Sequence, residues 1–451
     1  MASSRKKGTK KAPPLAPLNR RAAGVDIGST FHVVAVPPEL DAEPVRSFRS
    51  FTGDLTSLAD WLVGLGIATV AMESTGIYWI PLFEILEARG LEVVLVNARD
   101  AKNVPGRKTD VNDAQWIQQL HSYGLLRASF RPGSQIVALR AYLRHRERLL
   151  EYAASHVQHM QKALMQMNLQ LHHVVADITG VTGMKILREI VAGQTDPDAL
   201  AAYRDMRCKA SVETIRDALT GHYRPEHVFA LRQALELYDF YHQKLSDCDV
   251  EIERALQALP RGPDAATPPR GRQRGKNEPR FDIRPILNTL LGVDLTEIHG
   301  LGPYSVLRIF AECGSDMTRW PTAKHFTSWL TLAPGNKISG GKVLSAKTRR
   351  SANRATLLFR LAAVSVSRTA TALGAFFRRL AARVGKAKAV TATARKIATV
   401  LYNTVRHGKA YVDPGASYYE ERYRERALNN LRRRAGAMGF SLVASSVEGA
   451  S

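Results

Sequence analysis

The spacing of apolar residues divides the chain into stretches of different period. From Ala22 to about Leu126, short β-rich runs alternate with amphipathic segments. Gly24–Ile27 and Phe31–Val36 are apolar and β-branched, and Gly28-Ser29-Thr30 between them predicts a tight hairpin. Ser47–Thr52 reads as a third strand, Leu55–Leu65 as an amphipathic helix, and Ala68–Glu73 as an apolar strand that ends on an acid. A helix over Tyr78–Arg89, a buried strand over Leu91–Asn97 and a helix over Val111–Leu126 complete this α/β segment, residues 22–130.

Residues 131–260 are patterned for helix alone. Leu139, Leu143, Leu150, Ala153, Val157, Met160, Leu164, Met167, Leu171, Val174 and Ile178 keep a three-to-four repeat, interrupted only at Arg146. A run of that length predicts a coiled coil, with the methionines packed in its seam. A second long helix over about Val228–Leu259 carries Leu231, Leu235, Tyr238, Leu245, Cys248, Ile252, Leu256 and Leu259. Self-association through this arm and an intramolecular hairpin of the two helices are both open at this point. Beyond a Pro/Gly/Arg stretch, residues 261–283, the pattern is again mostly helical over 284–434, and the small polar tail 435–451 reads as frayed.

Charge changes the picture. The 451 residues hold 64 Lys and Arg against 41 Asp and Glu, a net +23. A chain this basic suits a polyanion, nucleic acid first. The excess is concentrated: between Met317 and Val412 there are 19 Lys or Arg and no acid. Two shorter basic tracts, the leader 1–21 and the stretch 261–283, lack apolar periodicity and read as disordered arms. Three well-separated cysteines exclude a disulfide scaffold and a Cys-based zinc finger. No apolar run is long enough for a membrane span, and no signal peptide is present, so a cytosolic location is expected.

Three meandering strands followed by alternating helix and strand is the element order of a ribonuclease-H-like domain. On it, Asp26 in GVDIGST and Glu73 in VAMESTG each end an apolar strand. Asp110 and Asp113 in KTDVNDA stand three apart, on one face of a helix start. Four carboxylates converging on one pocket would repel unless a divalent cation neutralised them, and oxygen ligands suit Mg²⁺ or Mn²⁺. Two such ions can activate an attacking oxygen and stabilise a leaving one in phosphodiester chemistry. Taken singly, each acid also reads as a cap or turn residue. GVDIGST also resembles the phosphate hairpin of actin-like sugar kinases, but no second phosphate hairpin or adenosine motif follows.

Two further motifs lie in the C-terminal part. Ile298-His299-Gly300-Leu301-Gly302-Pro303, between apolar helical segments, resembles a helix-hairpin-helix: Gly300 and Gly302 would let the backbone approach a phosphate. Ser339-Gly340-Gly341-Lys342 is a turn that can expose a hydroxyl beside cations. Lys337, Lys342, Lys347, Arg349 and Arg350 could supply positive potential and bind phosphate oxygens. From these residues alone, phosphate contact without chemistry is the better reading of Ser339.

Together GVDIGST, ESTGIYW, NARDAKNVPGRKTDVNDA, GLGP and TSWLTLAPGNKISGGK resemble the DEDD-type insertion-sequence transposases of the "one-ten" family, the bridge-RNA-guided recombinases. The resemblance covers most of Ala22 to about Thr404. It implies a RuvC-like domain whose metal-binding acids are Asp26, Glu73, Asp110 and Asp113, with Lys108 on nucleic acid. It also implies that Ser339 forms a covalent link to DNA, within a homodimer or homotetramer that carries a structured noncoding bridge RNA. The alternative is a RuvC-like nuclease that cuts branched DNA with metal-activated water.

Overall fold

A computed structural model describes residues 16–97, 113–262, 275–350 and 353–443. The chain divides into two compact units, Met1–Arg131 and Pro132–Ser451.

In the first unit the alternating runs form a five-stranded sheet in the order β3-β2-β1-β4-β5. Its strands are β1 (Ala22–Ile27), β2 (Phe31–Ala35), β3 (Val45–Arg49), β4 (Thr69–Glu73) and β5 (Glu92–Val96). β1–β2 and β2–β3 pair antiparallel, while β1–β4 and β4–β5 pair parallel, a mixed sheet consistent with a ribonuclease-H-like fold. Period-two alternation sends Ala23, Val25, Ile27, Val34, Val70, Met72 and Leu95 into one apolar core. The leucines of α1 (Thr52–Gly64) and α2 (Trp79–Ala88) fill the same core. Against the opposite face lies α3 (Asp113–Ser122). Gly24 makes this possible, because a Cβ there would meet the Gln118 backbone nitrogen at 2.2 Å and the Ala114 carbonyl oxygen at 2.4 Å.

The helical pattern of the second unit resolves differently from a long coiled coil. α4 spans Ser134–Gln166 and stops there. Asn168 takes a left-handed backbone, φ 54°, and turns the chain. Met167, Leu171 and Ile178, which extended the repeat in sequence, instead enter a small globular core. That core is built with α5 (Leu171–Val174), α6 (Val181–Ala192), α7 (Pro197–Ala201) and α8 (Val212–Leu219). The chain returns along α9 (Pro225–Gln257), which lies against α4 over its length. Contacts at Gln135–Ala258, Arg146–Asp249 and Tyr152–Tyr241 show the pair to be antiparallel. The seam that sequence offered for self-association is therefore occupied by an intramolecular hairpin.

The interruption at Arg146 is the centre of this hairpin. Its guanidinium is buried and donates to Asp249 Oδ1 at 2.6 Å, to the Asn277 carbonyl at 3.0 Å and to Tyr304 Oη at 3.2 Å. Asp249 Oδ2 accepts from the Arg280 backbone N–H at 3.0 Å. Lys276 also bonds Asp177 and Thr179. Residues 275–282, expected as disordered linker, are thus docked, while 263–274 lie outside the described residues. The same correction applies to the leader. Residues 1–15 lie outside the described residues, but the Asn19 amide donates to the His121 carbonyl at 2.9 Å and Arg21 to that of Leu65 at 2.6 Å.

The basic segment folds as α10 (Ile283–Leu291), α11 (Pro303–Cys313), α12 (Ala323–Trp329), α13 (Arg354–Ser365), α14 (Ala372–Val384) and α15 (Lys386–His407). Between α12 and α13 stands a hairpin of β6 (Lys337–Ser339) and β7 (Lys342–Ser345). Phe326, Phe359, Tyr402 and Trp320 pack edge-on and tilted at its core. A last helix, α16 (Gly415–Ala437), extends past the expected start of the tail at residue 435. No helix among the described residues is long and apolar enough to cross a membrane.

Removing one partner of a buried ion pair strands the other charge, which costs about 3–5 kcal/mol. Arg146→Met is therefore expected to destabilise the second unit by about that amount, read from urea unfolding followed by far-ultraviolet circular dichroism. The double variant Arg146→Met/Asp249→Leu should recover most of the loss. A single variant within about 1 kcal/mol of the parent, the scale of a surface pair, would contradict the role given to the pair.

Candidate functional site

Strand register decides where the acids fall. Val25 pairs with Met72 across the parallel β1–β4 ladder. One residue further, the register sets Asp26 beside Glu73 at the carboxyl ends of both strands. Because Val25 and Met72 face the α1–α2 core, Asp26 and Glu73 face the α3 side. α3 runs opposite to β1: Gln118 Nε2 donates to the Ala22 carbonyl at 3.3 Å, and His121 Nε2 lies 2.9 Å from Thr69 Oγ1. Its first described residue, Asp113, therefore sits toward the end of the sheet that carries Asp26 and Glu73. All three carboxylates are half-buried, and Thr75 Oγ1 donates to Glu73 Oε1 at 3.3 Å.

Asp110 and Lys108 lie outside the described residues. Among the described residues, no group of three or more His, Cys, Asp or Glu side chains is drawn close enough to hold a metal ion. The donors are nonetheless of the hard oxygen type that a divalent cation takes. Two of them come from rigid neighbouring strands.

Sequence reading missed His32. It lies on β2 opposite Ile27, one residue from the register position of Asp26. The ring is 1% exposed, and Nδ1 has no hydrogen-bond partner among the described residues. Burial pushes its pKa below the ordinary value, and the Asp26 carboxylate pulls the other way. His121, 5% exposed, is depressed for the same reason, with Glu92 opposing. The available signal for His32 was its place at a core position of an apolar strand beside an acid.

Ser339 belongs to the second unit. It ends β6 and pairs across the hairpin with Lys342. Gly340 and Gly341 take φ 54° and 74°, the left-handed pair that a two-residue turn of this hand requires. Residues 334–344 are exposed throughout, including Ile338 at 62% and Leu344 at 69%. At the base of the hairpin, Gly335 N–H donates to the Lys347 carbonyl at 3.0 Å, and Arg349 donates to that of Ser328 at 3.1 Å. Lys337, Lys342, Lys347 and Arg350 are exposed around it. A serine hydroxyl held at an accessible tip among cations can meet a phosphodiester without prior opening of the protein.

The glycines of the 298–303 motif differ from each other. Gly300 has φ 92°, and a Cβ there would meet the Ala362 carbonyl at 2.7 Å, so close packing against α13 requires glycine. Gly302 is the N-cap of α11, with Pro303 in the first turn. The segment before the motif is a single 3₁₀ turn, Leu295–Glu297, where sequence predicted a helical segment.

Comparison with known families gives two matches. The model of DEDD-type IS110 transposases matches residues 23–169, and that of transposases of the IS116/IS110/IS902 family matches residues 294–378. The first span holds Asp26, Glu73, Asp110 and Asp113, and the second holds Gly300, Gly302 and Ser339. No relative among curated proteins matches the chain.

The two buried imidazoles make stability depend on pH. Their pKa values are lowered in the fold, so the unfolded chain binds protons first as pH falls. Their contribution is complete above the unfolded value of about 6.5 and is lost as pH drops through the lower folded values. Calorimetric unfolding at pH 7.5 and 5.5 should show the first unit less stable at the lower pH. His121→Gln should reduce that difference; an unchanged difference would remove His121 from the account.

Proposed function

The chain belongs to the IS110 family of DEDD-type transposases, and from that premise we propose that it recombines the DNA ends of an insertion sequence through a phosphoserine formed on Ser339. The observation that carries this reading is the exposed β6–β7 hairpin, which presents the Ser339 hydroxyl beside Lys342 inside an acid-free segment. Ser339 Oγ attacks phosphorus; the Oγ–P bond forms, the bond to the leaving sugar oxygen breaks, and that oxygen takes the proton. A hydroxyl of another strand then attacks the same phosphorus, displaces Ser339 and seals the new junction. Each transesterification conserves the number of phosphodiester bonds, so the exchange needs no nucleotide hydrolysis.

Lys337, Lys342, Lys347, Arg349 and Arg350 hold the phosphate oxygens, and charge-assisted bonds of this kind are the strong ones. Gly300, Gly302 and Lys108 contact the backbone elsewhere on the nucleic acid. DEDD-type membership implies a divalent metal. Asp26, Glu73, Asp110 and Asp113 are the residues that would hold Mg²⁺ or Mn²⁺, which when bound stabilises charge on attacking and leaving oxygens. Asp26 and Glu73 contribute by fixing two carboxylates at one level of the sheet. A structured bridge RNA from the element supplies sequence choice by pairing, while the protein reads backbone and shape. The working form is a homodimer or homotetramer in the bacterial cytosol.

The test is strand transfer with Mg²⁺, element-end DNA and the element's RNA. Ser339→Ala should lower covalent protein–DNA adduct by about 10³-fold or more, as loss of a nucleophile does, and Asp26→Asn should abolish strand transfer. Adduct formed by Ser339→Ala would refute the serine assignment. Cleavage retained by Ser339→Ala but lost in Asp26→Asn would instead establish a RuvC-like nuclease acting through activated water.

A further inference from the structure

Far along the chain from Ser339, α14, α15 and α16 enclose a cavity of about 310 Å³. Its floor is apolar, from Ala372, Leu373, Val400 and Pro414, and its remaining lining is entirely tyrosine and cation. Tyr418, Arg422 and Arg426 follow at steps of four on α16, and Tyr419 lies on the same side, so one helix face supplies rings and charges together. Lys396 of α15 sits 4.7 Å from the ring centre of Phe376 and 5.4 Å from that of Tyr419.

The carboxylates nearby are largely committed. Glu420 pairs with Arg379. Asp413 accepts from the Ala372 N–H at 3.1 Å and from Tyr411 Oη at 3.2 Å. Glu425 takes Arg422 at the rim, at 3.3 Å. Among the described residues no carboxylate pairs with Lys396 or Arg426. At the start of α14, Asp413 holds the Ala372 N–H and Thr371 Oγ1 holds that of Gly374. The full charges that the cavity offers an anion are the side-chain cations Lys396, Arg422 and Arg426.

A volume at the lower end of small-ligand sites, an apolar floor, an accessible aromatic face and unneutralised cations define a narrow class of ligand. Tyr418 lines the cavity and is 51% exposed, so part of its side chain is open to a partner. We propose that this cavity takes one unstacked nucleotide of a single-stranded nucleic acid, with the base against Tyr418 and the phosphate between Lys396 and Arg426. A continuous duplex is excluded by the same shape, because its bases are stacked on one another and cannot enter. The site rests on the reading of the chain as a nucleic-acid enzyme but is separate from the Ser339 hairpin, and no step of strand exchange passes through it.

The experiment measures binding of the full chain to a fluorescent single-stranded DNA, a single-stranded RNA of the same sequence, and the DNA duplex, over a range of salt. Tyr418→Ala should weaken single-strand binding about tenfold or more, the range of one base–aromatic stack, with an unchanged salt slope. Tyr418→Trp should retain affinity. Lys396→Met should lower the salt slope by about 0.7, the value for one phosphate contact on a single strand. Duplex affinity and the circular dichroism spectrum should stay unchanged in all three, and Arg433→Gln, beyond the cavity on the same helix, should bind like the parent. An effect on RNA alone or DNA alone identifies the strand that enters, and equal effects show a site indifferent to the sugar. Equal losses on duplex and single strand, or none on either, would overturn the proposal. A parent chain that binds no nucleic acid would instead overturn the functional reading beneath it.

Discussion

A guanidinium buried between two long helices sets the architecture of the second unit. Arg146 occupies a seam position where every neighbour in the repeat is apolar, so its charge must be answered inside the protein. Asp249 answers it from the partner helix, and the Asn277 carbonyl and Tyr304 hydroxyl complete the shell. Those partners come from α9, from the segment leading into α10, and from α11. One side chain therefore fixes the register of the helical hairpin and draws the C-terminal helices onto it. A leucine at 146 would have no charge to match, whereas the buried ion pair favours the register that brings Arg146 and Asp249 together.

Around this point the hairpin's outer charges reinforce the same docking. Arg140 donates to the carbonyls of Ala311 and Glu312 at the end of α11, each at 3.0 Å. Arg144 forks onto the Glu312 carboxylate at 2.9 and 3.0 Å. Glu147 receives Arg308 from α11 and Arg354 from α13. Cations at a helix C-terminus complement its exposed carbonyls, so α11 is held by its end as well as by its apolar face. The Ser339 hairpin leads into α13, which Arg354 ties to α4 through Glu147, while residues 334–344 are exposed.

Much of the first unit was legible because its strands alternate cleanly and its turns carry glycine. All five strands fall where the β-branched runs lie, within a few residues, and the register places Asp26 beside Glu73 as the strand ends suggested. The second unit was less legible. The apolar repeat ran on through Met167, Leu171 and Ile178 because residues of a small helical core share the period of a coiled-coil seam, and Asn168 is a weak stop signal compared with glycine. The partner of Arg146 lies 103 residues away, a distance at which spacing carries no information. His32 was hidden for a related reason: an apolar strand reads the same whether one of its core positions is valine or a neutral imidazole.

The acid-free segment takes on a different meaning once its cations are located. Read as a count, 19 basic residues over Met317–Val412 form one surface for a polyanion. In the fold some of them serve the protein itself: Arg319 pairs with Asp316, Arg354 with Glu147 and Arg379 with Glu420, each acid lying outside the segment. Part of the compensation thus lies on elements that the segment docks against, Glu147 on α4 and Glu420 on α16. Lys337 and Lys342 on the hairpin and Lys396 in the cavity have no carboxylate partner among the described residues. Coulomb attraction to phosphate is strongest where the cation is not already neutralised and where protein displaces water around it. By that criterion the exposed turn that carries Ser339 and the tyrosine-lined cavity are the two places on the segment that the proposals above give to nucleic acid, whereas Arg319, Arg354 and Arg379 are already paired within the protein.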